Sequence, residues 1–226
     1  MRKYIKLCVI ILVLMLLAVW TPWQNWNYHW TNIFGIESRD QHSGLKLKSF
    51  SGDLELFVDG KQAGKVSDKE SFLEIYPITP GEHNIKITRP DNNGFYTEFE
   101  RTLNFEKNVD VVIGYDLGPS LLFSEGHVLT AKRSYTKGQN PVLDIDSIVD
   151  DVDVKIDGKD IGKTPLRSIP MGIDTTHILS FSKPGFDPLE IEIFPTEQQE
   201  RDKLKDIILT LEVNLFAKPV ELTALR

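Results

Sequence analysis

Val58-Asp59-Gly60-Lys61-Gln62-Ala63-Gly64-Lys65 returns as Ile156-Asp157-Gly158-Lys159-Asp160-Ile161-Gly162-Lys163, at an offset of 98 residues. The same offset holds upstream without a gap. Leu45, Leu47, Ser49, Asp53, Leu54 and Leu56 meet Leu143, Ile145, Ser147, Asp151, Val152 and Val154. An ungapped match that keeps its apolar positions in phase marks an internal repeat, the first thing to settle in a chain. In each copy, Asp59-Gly60 and Asp157-Gly158 follow an alternating segment and read as structural hairpin turns. Each glycine is expected in the left-handed region, and each aspartate is expected to accept a local backbone N–H.

Around the repeats the segments are short and alternate with period two. Leu54-Glu-Leu56-Phe-Val58 and Asn84-Ile85-Lys-Ile87 are examples in the first copy. Val152-Asp-Val154-Lys-Ile156 and Leu189-Glu-Ile191-Glu-Ile193 are examples in the second. That pattern is the signature of half-buried strands. Neither copy has a convincing helical period, so the fold class is all-β, two tandem small β-sandwiches. The first spans 44–117 and the second 141–217, with a C-terminal tail at 218–226. Residues 118–140 read as a linker or an added hairpin, with Leu121-Leu122-Phe123 and Val128-Leu129 flanking a Glu125-Gly126 turn. The same stretch reads equally as a strand closing the first unit.

The N-terminus is of a different kind. Leu7 to Trp20 is continuously apolar, and Tyr4 through Trp23 gives 20 residues, with Lys6 near one end. That length spans a bilayer when a terminal lysine snorkels. A cleavable signal peptide is the competing reading. It needs small residues just before the cut, and Ala18-Val19-Trp20 puts Trp there. Residues 1–30 are therefore read as a single-pass signal anchor with an interfacial belt of Trp20, Trp23, Trp26 and Trp30, followed by a tether at 31–43. Clustered Trp belongs where a ring is half wet; packing of these rings on the first repeat is the alternative. Arg2, Lys3 and Lys6 lie on the short side, which puts the N-terminus in the cytoplasm and the repeats outside it, at the cell membrane. Cys8 is the one cysteine, so no disulfide framework is available.

The formal net charge is −7, and the three basic residues at the N-terminus leave the remainder at −10. Nucleic acid is thereby excluded as a general partner, since its binders carry a basic footprint.

Taken together, the ordered elements resemble the PEGA-domain repeat. The second copy shows Ser147, Ile156-Asp157-Gly158, Gly162-Lys163-Thr164-Pro165-Leu166, His177 and Lys183-Pro184-Gly185-Phe186. The first shows Ser49, Val58-Asp59-Gly60, Gly64, Pro80-Gly81-Glu82-His83 and Gly94-Phe95. Both lack the name-giving Pro-Glu-Gly-Ala, and the first lacks Thr-Pro-Leu. The resemblance implies a small β-sandwich of the kind common in prokaryotic envelope and surface proteins, usually without catalysis.

Candidate chemistry is sparse. Asp144, Asp146 and Asp153 are the one cluster with metal-like character: alternation turns them outward together, as a candidate Ca²⁺ site or as a solvated acidic face. Ser147, His177 and Asp157 assemble a triad on paper, but no nucleophile-elbow motif accompanies them. His83 and His177 each follow a turn and open a strand, which favours a structural role. No cofactor motif occurs. Lys46 and Lys48 stand where Asp144 and Asp146 stand in the second copy, so the repeats either meet through these faces or present different surfaces. The expected function is a membrane-anchored extracytoplasmic protein, not an enzyme, acting in binding or envelope organisation through an envelope protein partner. The alternative is a carbohydrate- or cell-wall-glycan-binding module using exposed Tyr96, Phe99 and Tyr76.

Overall fold

The computed structural model describes residues 42–90, 93–193 and 204–219. The expected anchor, the belt of Trp20, Trp23, Trp26 and Trp30, and nearly all of the tether lie outside these residues. Among the described residues no helix is long and apolar enough to cross a membrane. Apart from one 3-10 turn at Leu121–Phe123, their regular structure is β.

The first repeat supplies β1 (Ser43–Ser49), β2 (Leu54–Val58), β3 (Lys61–Val66), β4 (Leu73–Ile78), β5 (Gly81–Thr88), β6 (Phe99–Phe105) and β7 (Val111–Asp116). An extra strand follows, β8 (Glu125–Arg133). The second repeat supplies β9 (Val142–Ser147), β10 (Asp153–Ile156), β11 (Lys159–Lys163), β12 (Leu166–Pro170), β13 (His177–Ser182), β14 (Leu189–Ile193) and β15 (Ile207–Asn214). In each repeat four strands make a small sheet of the same topology, β3-β2-β5-β6 and β11-β10-β13-β14. The remaining strands do not form two separate sheets. They join into one of seven strands, in the order β12-β9-β15-β8-β7-β1-β4.

The stretch 118–140, expected as a linker, an added hairpin or a strand closing the first unit, supplies the strand at which the two units join. Strand β8 pairs antiparallel with β7 on one side and with β15 on the other. The turn signal at Glu125-Gly126 misleads because that glycine answers a different need. A Cβ on Gly126 would lie 2.4 Å from the Tyr115 ring and 2.5 Å from the Gly114 carbonyl, so glycine here permits close strand approach. The reading of this stretch as a closing strand comes nearer, but β8 closes both repeats at once.

The registers show how. Ile113 of β7 is opposite Val128 of β8, while Leu211 and Leu209 of β15 are opposite Leu129 and Ala131. Directly paired residues share a face, and successive residues alternate faces. Ile113 and Val128 belong to the first core, and Leu209, Leu211 and Ala131 to the second, with Leu129 packed against it. The two cores, and the small sheets that cover them, therefore lie on opposite faces of the seven-stranded sheet. Arg101 of β6 crosses the joint to Glu212 of β15 at 2.5 Å.

The repeated Asp-Gly turns close two-residue hairpins, as expected. Gly60 and Gly158 have φ of 75° and 77°, and Asp59 and Asp157 share a φ of 51°. Both central residues are left-handed, which is the primed turn that matches strand twist.

Candidate functional site

The aspartates of these turns reach much further than a local N–H. Asp59 Oδ1 accepts the backbone N–H of Asn84 at 2.9 Å, and its Oδ2 accepts from His83 Nδ1 at 2.7 Å. In the second copy, Asp157 Oδ1 accepts the Ile178 N–H at 2.9 Å and Oδ2 lies 2.6 Å from His177 Nδ1. Each aspartate thus ties the β2–β3 or β10–β11 turn to the start of the neighbouring β5 or β13. The other ring nitrogen is also engaged. His83 Nε2 donates to the Thr79 carbonyl at 2.8 Å, and His177 Nε2 faces the Gly172 carbonyl at 3.0 Å. With acceptors on both sides, His83 favours its doubly protonated form. The Asp59 hydrogen bond raises its pKa above the ordinary 6.5, and the same bond holds Asp59 below the usual carboxylate value. His177 likewise draws Asp157 down.

A histidine held this way has both ring nitrogens turned to protein oxygens, and neither faces a site where a substrate proton could be taken. Ser147 is occupied elsewhere, its Oγ accepting the Val149 N–H at 3.2 Å. The paper triad of Ser147, His177 and Asp157 reduces to an Asp–His clamp, present in both repeats.

The acidic cluster also comes apart. Asp144 and Asp146 are on β9 in the large sheet, whereas Asp153 is on β10 in the small one. Asp144 Oδ1 accepts the Ser168 N–H at 2.7 Å, Asp146 pairs with Arg167 at 2.7 Å, and Asp153 pairs with Lys163 at 2.7 Å. Among the described residues no group of three or more His, Cys, Asp or Glu is placed to hold a metal ion. The outward-together geometry expected for these three is corrected for a simple reason: the chain changes sheet between β9 and β10. Lys46, for its part, lies 3.6 Å from both Glu74 and Asp110 in its own repeat. Because the cores lie on opposite faces, the lysines of β1 and the aspartates of β9 also point to opposite sides of the large sheet. They do not meet within the chain.

The three aromatics expected to be exposed do not form a platform. Phe99 is a core residue, 5.1 Å from Tyr115. Tyr96 lies beneath the Arg89 guanidinium at 4.7 Å, and Tyr76 stands exposed with the edge of His42 beside it.

A different set gathers on one face. The first small sheet covers one side of β4, β1 and β7, and the opposite side is left without a sheet over it. In register there are Lys48 of β1 beside Gly114 of β7, and Gly114 beside His127 of β8. Phe50, which continues β1, lies over Gly114, where a Cβ would come within 2.7 Å of its ring and 2.6 Å of His127. Phe72 receives Lys48 at 6.0 Å from its centroid. Phe50 and Phe72 are 37% and 50% exposed, high for phenylalanine. His127 is largely buried, and its Nδ1 has no hydrogen-bond partner among the described residues. Burial, helped by Lys48, lowers its pKa to about 4, so it is neutral at neutral pH.

Glu125 completes the row from the start of β8, directly opposite Asp116. Asp116 is paired with Arg89. Burial first, then Asp187 and Asp116, raise the Glu125 pKa. The alternation of Lys46, Lys48 and Phe50 was visible in the sequence. Their meeting with His127 and Glu125 was not, because the placement of β8 creates it.

Residues 140–205 carry a PEGA domain. The match covers β9 to β14 and ends before β15, the strand that joins this unit to β8. No curated protein matches the chain.

Proposed function

We propose that this chain is a membrane-anchored, extracytoplasmic, non-catalytic protein that works by binding in the cell envelope, with residues 44–117 as a further, divergent PEGA-like unit. The observation that carries the non-catalytic reading is the duplicated Asp–His clamp. The one arrangement in each repeat that resembles a catalytic dyad has both ring nitrogens engaged in holding strands together. The divergent first unit is supported by its strand order, which repeats that of the second unit sheet for sheet. The anchor is supported by the apolar run Leu7–Trp20 and by the basic residues on its short side.

The test is protease accessibility in spheroplasts, followed by affinity capture of the full chain from solubilised envelopes. The repeats should be digested while the N-terminus stays protected, and an envelope protein should co-purify. Repeats that resist protease in intact spheroplasts but are cut after lysis would overturn the topology. Retention by isolated cell-wall glycan in place of a protein partner would favour the carbohydrate-binding alternative.

A further inference from the structure

Two charged side chains on the uncovered face lack an ion pair among the described residues. Lys48 contacts the Phe72 ring and no carboxylate, and Glu125 has no cation beside it. They have opposite sign and lie on the same face. Two strand spacings and two residues along the strand separate their backbones, about 12 Å, too far for them to satisfy each other. Between and beside them are the exposed rings of Phe50 and Phe72. An apolar centre flanked by one unpaired positive and one unpaired negative group is self-complementary under a two-fold rotation. That is the property an isologous interface requires, residue i of one copy meeting residue j of the other and the reverse.

We propose that the uncovered face of β4, β1, β7 and the start of β8 is the interface of a two-fold homodimer. Lys48 of each copy pairs with Glu125 of the other, around a centre formed by Phe50, with Phe72 at its rim beside Lys48. The second small sheet lies on this same side, over β15 and β9, and confines the approaching copy to the open half. A foreign partner would have to carry the same plus–apolar–minus pattern in reverse order, which this chain already presents to itself. The net charge of −7 opposes association over distance, so the two ion pairs act locally and weaken with salt.

The experiment uses the full chain, in detergent micelles where it fractionates with membranes, with Cys8→Ser as background. Sedimentation equilibrium should show a monomer–dimer equilibrium. Lys48→Glu and Glu125→Lys should each weaken it about tenfold or more, since each change breaks both symmetry-related pairs. The double variant should recover dimerisation, as should a mixture of the two single variants. Zero-length carbodiimide coupling of the unmutated pair should give a covalent dimer joining Lys48 of one copy to Glu125 of the other, which serves as the readout if a charge variant misfolds. A chain that stays monomeric to millimolar concentration, dimers indifferent to both charge changes, or no recovery in the double variant would each overturn the proposal.

Discussion

Val128 and Leu129 are neighbours on one strand and serve different cores: Val128 is buried in the first, and Leu129 packs against the second. Because β8 is shared, neither repeat has a complete large sheet of its own.

Fragments 40–118 and 138–226, made separately, are therefore expected to unfold or aggregate, since each exposes the edge that β8 covers. In the whole chain Leu211→Ala should cost about 2–5 kcal/mol, as for other fully buried leucines. Calorimetry of the variant should show one transition moved down. Two resolved transitions, one unmoved, would contradict the shared sheet.

The two residues of the second turn contribute in different ways. A Cβ on Gly158 meets no atom of the described residues within 4 Å, so the cost of Gly158→Val lies in backbone strain at a positive φ, about 1–2 kcal/mol. Asp157→Ala removes a link between two strands. A double-mutant cycle with His177→Ala should give a coupling of about 1 kcal/mol, discounted because the Asp157 side chain is half exposed. Additive losses would mean that the clamp is not cooperative.

The first clamp should report on pH. His83 has its pKa raised in the fold, so its contribution is complete below 6.5 and is lost as pH rises through the higher folded value. Asp59 has its pKa lowered, so its contribution is present above 3.8 and is lost as pH falls through the lower folded value. The clamp is strongest in the window between. NMR titration of the imidazole should place His83 above 6.5 in the wild type and return it towards that value in Asp59→Asn.

Thr164 is buried, and its Oγ1 accepts the Val152 N–H at 3.1 Å. Val66 holds the corresponding place in the first repeat and is buried in its core. Thr164→Val should therefore cost about 1–3 kcal/mol despite its matched shape, because it leaves a buried donor unpaired. Urea denaturation compares the two proteins directly.

What was legible in the sequence follows from periodicity. Leu45, Leu47, Leu143 and Ile145 alternate because one face of β1 and β9 is buried, and the paired Asp-Gly turns announce their hairpins. β8 was obscured for the opposite reason. Val128 and Leu129 each face a core, so no single hydrophobic face stands out, and Gly126 imitates a turn. The reach of Asp59 to His83 spans 24 residues, a contact that local pattern does not encode. The dispersal of Asp144, Asp146 and Asp153 depends on where the chain changes sheet, which alternation alone does not mark.

A strand has two hydrogen-bonding edges, and β8 uses one for each repeat. The joint thus limits copy number. A third repeat added in tandem would find no vacant edge beside β8 and would need a bridging strand of its own. β7 and β15 have both edges taken as well, so such a strand could pair only with β4 or β12, the outer strands of the large sheet.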